Sequence, residues 1–507
     1  MTHPITRRAA LAAGAGITLA GGARARIAAA QGATLRVGLV NFPPNIRPHE
    51  NSGSSSMAVK LQLYRGLLSY DGQGRLVPEM AESWAAEGNR AYVFTLRENS
   101  RFHDGSPVTA ADVKHTIDSI TAGNSTAYLR PDFSVVERVE VTGPRSGRFV
   151  LKEPSAVVPH LVASYHAGII PARGTLAAPG LPIGSGPFRL GAQERGTSIT
   201  VERFDGFYKP GRPRVARIVF RGLPDENLRV SALQSGDVEI VETLPWQSFD
   251  TVEGDSRLRL DATVGPFMYL TFNARTGPFT DPRVRQAVGF AVNRDDVVKA
   301  ALFGRGAPLG ALPYPQGTAF ETPDLFTHDP ARARQLLAAA GVPNGFSCSL
   351  LATSTPVLHA ATAEVVQQNL RDVGIDVTLR VPEWATRVTQ GNRGQYEFAV
   401  MGSVGNWPDP DAVTAFITGP PAYPRSFGFE SARIEGLLKA GREELDEAKR
   451  RTIYADLQRA AAEEVPIVGL AWRSQAFAMQ KAVTGFRNLP GSLTFYAPVT
   501  LEDAALG

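Results

Sequence analysis

Between Phe346 and Gly402 the chain reads FSCSLLA, AEVVQQNLRDVG, IDVTLRV and YEFAVMG, three short apolar runs with a helix-periodic segment after the first. A strand, a helix and a second strand in this order stack a helix on the face of a shared sheet, so the segment constrains the chain to α/β layers. The same alternation recurs upstream. TLRVGLV, SITVERF, ARIVFRGL, VEIVETL and MYLTFNA (268–274) read as strands, and MAVKLQLYRGLL (57–68) reads as a helix. AYVFTLR (91–97) alternates, with Tyr92, Phe94 and Leu96 on one face.

Helix boundaries are marked by residues that satisfy free backbone groups. Thr109 and Asp112 form a capping-box pattern before DVKHTIDSI. Asp225 caps ENLRVSALQS, and Gly236 ends it. Asp281-Pro282 and Asp329-Pro330 each place an acceptor at the cap and a proline at the first helical position, whose N–H needs no helical partner. At 507 residues the chain exceeds one core, and two to four domains are expected. No internal repeat and no long linker are visible, so the chain is expected to cross between domains by short strands.

Hydrophobic content of 43% and charged content of 20% describe an ordinary globular protein. The chain carries 53 basic and 49 acidic residues, and Arg7, Arg8, Arg24 and Arg26 lie in the first thirty residues with no acidic neighbour. The excess charge therefore belongs to that leader, and nothing points to nucleic acid or an anionic membrane as partner. ITRRAALAAGAGITLAGG followed by AAA has the basic head, short apolar middle and small-residue end of a secretory signal, and its paired arginines resemble a twin-arginine (Tat) leader. An ordinary Sec signal with two arginines is the alternative. No later run reaches the roughly 20 apolar residues of a membrane span. The single cysteine, Cys348, excludes an internal disulfide and reads as a small buried hydrophobe in a strand. No lipid anchor at the leader is expected.

Catalytic signatures are absent from the sequence. There is no HExxH, GxSxG or cysteine cluster, and His160 and His166 in HLVASYH lack the spacing of helical metal ligands. GSGPF (184–188) lacks the continuation of a phosphate loop and reads as a tight turn entering a strand. In GSVGNWPDPDA (402–412), Asp409 and Asp411 could pair for acid–base chemistry, but aspartates in a proline-rich turn more often bond their own backbone. FHDGSPVTAADV (102–113) combines a strand end, an Asp-Gly turn and a capped helix start.

The run LYRGLLSYDGQGRLVPEMAESWAAEGNRAYVFTLRENSRFHDGSPVTAADV resembles bacterial extracellular solute-binding proteins of family 5, the dipeptide, oligopeptide and nickel receptors of ABC importers. IGSGPF, RIVFRGLPDENLRVSALQSGDVEIV, YLTFNARTGPFTDPRVRQAVGFAVNRDDVV, ARQLLAAAGVPNGF and the DPDA loop continue the likeness in order along nearly the whole chain after the leader. The resemblance implies an α/β, two-lobe periplasmic binding protein fold (type II, cluster C) with an extra subdomain inserted in the first lobe. Residues 1–30 would be the Tat-like signal, 34–60, 181–272 and 470–507 lobe I, 61–180 the insert and 273–469 lobe II. It implies a periplasmic receptor, monomeric and without cofactor or metal. Such a receptor would capture a peptide-like or other small polar solute by hinge closure and pass it to permease and ATPase subunits. A secreted hydrolase on an α/β scaffold is the main rival, and a chaperone-like or signalling receptor a weaker one.

By the same resemblance the GNWPDPDA turn lies at the cleft, where peptide-binding relatives present an aspartate to the ligand's α-ammonium. That position aligns with Asn406, which keeps a hydrogen bond but loses the charge. Asp409 or Asp411 would be the next candidate for the anchor. Trp407 and Trp384 are cleft candidates that could equally cover the turn or pack in the core. Asn45 and Ile46 follow the first strand, where relatives offer main-chain contacts. Tyr269 is a further candidate, and Arg425 becomes one if the ligand is anionic, its alternative being a solvated loop charge. Replacing Arg7 and Arg8 by lysine is expected to abolish export if the leader uses the Tat route. Immunoblots of periplasmic fractions check this, and undiminished export would assign the leader to Sec.

Overall fold

The computed structural model describes residues 32–174, 176–178, 181–354 and 358–507. The expected leader and its cleavage near Ala30 lie outside the described residues. Among the described residues eleven strands join one sheet: β1 (Thr34–Leu39), β2 (Phe188–Glu194), β3 (Ser198–Arg203), β4 (Arg217–Gly222), β5 (Ile240–Val241), β6 (Leu258–Phe272), β7 (Gly306–Pro308), β8 (Phe346–Leu351), β9 (Ile375–Arg380), β10 (Phe398–Ser403) and β11 (Val468–Gln480). Their order is β2-β3-β4-β1-β5-β11-β6-β10-β8-β9, with β7 on β11. β1 runs parallel to β4 and β5, and β8 runs parallel to β9 and β10. The two parallel groups are joined through the antiparallel pair β6 and β11.

That pair replaces the short crossing strands expected from the sequence. β6 has 15 residues and β11 has 13, and their ladder runs from Leu258↔Gln480 to Leu270↔Val468. The strand expected at 268–274 is thus only the end of a longer one, while VEIVETL retains just Ile240–Val241. Both long strands feed more than one core. Phe477 and Met479 of β11 pack in the cluster that holds Leu35 and Ile218. Leu270 and Phe272 of β6, with Val468 and Leu470 of β11, belong to the cluster of Val288 and Leu350. The register shifts between Val264 and Phe267, across Gly265-Pro266, where the proline has no N–H for the ladder.

The expected caps form. Thr109 N–H donates to Asp112 Oδ2 at 2.8 Å at the start of the helix Ala110–Thr121. Asp225 accepts from Leu228 N–H, and Gly236 ends that helix with φ of 79°. Asp281 and Asp329 cap the helices Pro282–Ala291 and Pro330–Ala339. The helix expected over 57–68 instead occupies Ser54–Leu63. It stops before Gly66, where a side chain would meet the Val162 carbonyl at 2.5 Å, and Leu68–Tyr70 then pairs as a strand with Leu76–Pro78. Cys348 is buried in β8, as its apolar context implies.

A separate four-stranded antiparallel sheet orders Ala81–Ala86, Ala91–Leu96, Ser146–Leu151 and Val136–Val141. Its Phe94 and Phe149 join the same core as Leu35, so it is fastened to the β1 side of the molecule. GSGPF is a turn into β2, but its glycines also permit contact: a Cβ on Gly184 would stand 1.9 Å from the Leu63 carbonyl oxygen. Gly184→Ala is therefore expected to push two backbones apart and cost about 3 kcal/mol, read as a lowered denaturation midpoint.

Candidate functional site

The loop that follows β10 is shaped by two aspartates. Asp409 accepts from Asp411 N–H at 2.9 Å, with Pro410 between them opening a turn of helix. The Asp409 carboxylate also takes both Nη groups of Arg450 at 2.8 Å. Asp411, fully buried, receives Arg442 through Nε at 3.0 Å and Nη2 at 2.9 Å, and Thr414 through its hydroxyl. Burial pushes the Asp411 carboxyl up, and Arg442 opposes that. Arg442 and Arg450 come from the consecutive helices Ala432–Glu443 and Glu447–Glu464. Both carboxylates are thus committed to bidentate ion pairs, which removes them as an acid–base pair and as an anchor for a ligand ammonium. His160 Nε2 lies 3.9 Å from Asp409 Oδ2, but burial lowers the imidazole to about 4, so it is neutral at neutral pH.

A cavity of 570 Å³ opens beside this loop, within the roughly 300–1,000 Å³ of small-molecule sites. One wall comes from the β1 side, with Met57, Tyr128, Tyr165, His166 and Tyr496; the other carries Asn406, Phe416, Tyr423 and Arg425. Tyr128 OH donates to Asn406 Oδ1 at 3.2 Å and joins the walls. Burial pushes the His166 imidazole down to about 3, so it faces the cavity uncharged. Arg425 donates from Nε to the Ala415 carbonyl at 2.9 Å and from Nη1 to the Pro420 carbonyl at 2.8 Å. Among the described residues no carboxylate lies within ion-pair distance of it. Among the described residues no other Asp, Glu, Lys or Arg lines this cavity.

The structure sorts the sequence-derived candidates into four places. Asn406 and Arg425 face the main cavity. Trp407 and Asp409 line an adjoining compartment of 420 Å³. Asn45 and Ile46 line a third cavity of 630 Å³ with Tyr64 and Ile170 on the β1 side. Tyr269 and Trp384 stand behind the wall. Tyr269 is fully buried and its OH donates to the Pro424 carbonyl at 2.9 Å. Trp384 packs edge-on against Tyr423 at 5.7 Å between centroids, and the Arg387 guanidinium lies 5.6 Å from its ring. The two aromatics hold neighbours of Arg425 and leave the cavity surface to Tyr423 and Pro424.

The aromatic lining of Tyr128, Tyr165, Phe416 and Tyr496 escaped the sequence reading. HLVASYH drew notice for its histidine spacing, although its Tyr165 and His166 are what reach the cavity. Among the described residues no group of three or more His, Cys, Asp or Glu is arranged to hold a metal ion.

Residues 75–424 match the family model described as bacterial extracellular solute-binding proteins, family 5 middle. The glutathione-binding protein GsiB of Pectobacterium atrosepticum is 27% identical over 91% of this chain and 92% of its own length. The binding protein AgaA from A. tumefacien R10, solved in complex with agropinic acid, is 35% identical with a TM-score of 0.83, covering 94% of this chain and 99% of its own. The Helicobacter pylori binding protein DppA in complex with the peptide STSA is 21% identical and shares the fold with a TM-score of 0.79 over 94% of this chain and 98% of its own. Arg450→Met would leave Asp409 buried without its partner and is expected to cost about 3–5 kcal/mol in chemical denaturation. Adding Asp409→Asn to Arg450→Met is expected to recover much of that loss.

Proposed function

The chain belongs to the bacterial extracellular solute-binding proteins of family 5, and from that premise we propose that its ligand is a carboxylate-bearing solute held at Arg425 between closing lobes. The observation that carries this reading is the charge of the main cavity. Its lining offers one guanidinium, one neutral imidazole and no carboxylate. A ligand carboxylate would find a charge-assisted partner there, whereas a free α-ammonium would be desolvated without one. The acid named in the AgaA complex, at 35% identity, supports the same choice. Asn406 supplies an amide where a cationic anchor would need an acid.

In this reading the protein binds without turnover. The hydrolase alternative lacks support, because Asp409 and Asp411 are consumed by Arg450 and Arg442. Residues 34–60, 181–272 and 470–507 form lobe I, 61–180 its insert and 273–469 lobe II. The sheet distinct from the large one supports a separate insert, and the two cores fed by β6 and β11 support two lobes, with Leu270, Phe272 and Leu470 packing on the Val288 side of the crossing. The leader takes the chain to the periplasm through the Tat route, where the monomer delivers its solute to permease and ATPase subunits.

Titration calorimetry with paired acids and amides tests the assignment. Arg425→Gln is expected to weaken a bound acid by about 10- to 100-fold while leaving the corresponding amide unchanged. Asn406→Asp is expected to weaken the acid further through repulsion. Tight binding of a free-amine dipeptide whose carboxyl terminus is blocked would overturn the reading.

A further inference from the structure

The compartment next to the main cavity is unassigned by this reading. It shares Gly405, Ser492 and Leu493 with the main cavity, so a ligand in one borders the other directly. We propose that it receives an uncharged, polyhydroxylated portion of the same solute whose carboxylate sits at Arg425, an inference that rests on the acid-binding reading of the main cavity.

Three features select this chemistry. The walls are flat and apolar: Phe267, Trp407 and Trp472, with Pro313, Pro315 and Pro490. Phe267 and Trp472 meet edge-on at 5.7 Å, fixing two of these surfaces. Such walls pack against C–H faces and offer an anionic group no partner. Of the ionic residues of the compartment, Asp409 is buried and paired with Arg450 at 2.8 Å, while Arg75 is largely exposed and pairs with Asp71 at 2.7 Å on the surface.

Hydrogen-bonding capacity nevertheless remains. Trp407 is 4% exposed, and its Nε1–H has no partner among the described residues. Ser492, which lines both compartments, has a buried Oγ that is likewise unpartnered. Exposed Gln73 and Gln316 add amide groups. An unmade bond on a buried polar atom is costly, so both atoms favour an occupant that completes them. A purely aliphatic or aromatic tail would leave them unsatisfied. A hydroxylated chain or ring offers C–H faces to the tryptophans and oxygens to the donors.

Calorimetry with gluconate, lactobionate, hexanoate and dodecanoate tests this on the full chain. Lactobionate, an acid with a long hydroxylated body, is expected to bind more tightly than gluconate and than either fatty acid. Ser492→Ala and Gln316→Ala are each expected to weaken lactobionate about three- to tenfold, with hexanoate unchanged. Because the Ser492 hydroxyl makes no bond among the described residues, Ser492→Ala is expected to keep or raise the melting temperature without ligand. Trp407→Phe, which keeps a ring and removes Nε1–H, is expected to act in the same direction on lactobionate. Tighter binding of dodecanoate, no detectable binding of lactobionate, or lactobionate affinity indifferent to Ser492→Ala and Gln316→Ala overturns the inference. If Arg425→Gln spares lactobionate while the other changes weaken it, the carboxylate assignment fails instead.

Discussion

The antiparallel pairing of β6 with β11 is the constraint on which the rest of the molecule depends. Each strand is long enough to leave one hydrophobic core and enter another, so neither lobe can fold with a complete core unless both strands are in register. The ladder satisfies the backbone of the crossing segments, which would otherwise pass unpaired between the lobes. Its register shifts twice, across Gly265-Pro266 and again between Met268 and Tyr269. At the first of these the chain bends beside the Gly491 backbone, which a Cβ on Gly265 would meet at 2.1 Å. A change of angle between the lobes would bend these two strands, whose ladder is irregular across Gly265-Pro266 and between Met268 and Tyr269. Gly265 also borders the compartment lined by Phe267 and Trp472.

Local features of this architecture were legible in the sequence, and long-range ones were not. Asp225, Asp281 and Asp329 could be read as caps because a cap is settled within three residues. Strand lengths depend on pairing partners far away, which is why β6 extended ten residues upstream of the segment read as a strand, while VEIVETL shrank to a bridge of two. The aspartate loop shows the same division. Its turn-forming role was visible in PDPD, but Arg442 and Arg450 stand 31 and 41 residues from their partners with no pattern linking them. The aromatic lining gathers from segments near 128, 165, 416 and 496, none of which carries a motif. The family resemblance pointed to this loop but could not separate the residues that line the cavity from those, such as Tyr269 and Trp384, that pack against them.

The ion pairs explain how a proline-rich loop can serve as a wall. Two bidentate arginines on consecutive helices fix both aspartates, and the backbone between them has little freedom left. Asn406 and Trp407 are then presented on opposite sides of one short segment, the amide to the 570 Å³ cavity and the indole to its neighbour. The cost is the burial of three charges, Asp409, Asp411 and Arg450, with Arg442 half-buried, tolerable because each is paired. The loop thereby spends its negative charge internally. What remains facing the cavity is Arg425, steadied by two carbonyls and backed by Tyr269 through Pro424.

Direct attraction between the two walls is modest. Tyr128 to Asn406 is one neutral hydrogen bond of 3.2 Å, worth about 1 kcal/mol net. Lys439 to Glu153 at 2.9 Å is an exposed pair, which contributes roughly 0–1 kcal/mol. Ala156 N–H to the Arg442 carbonyl adds one backbone bond, and the neutral His160 near Asp409 adds no ion pair. Trp407, buried in the first core, is the main apolar contact from the loop. Each of the polar contacts between the walls is individually small. A solute that touches both walls adds its own contacts to one angle alone, and the balance is then set by that solute. On the proposed reading selectivity and closure are the same event, governed by the Arg425 guanidinium and by the donors of Trp407 and Ser492 between the two compartments.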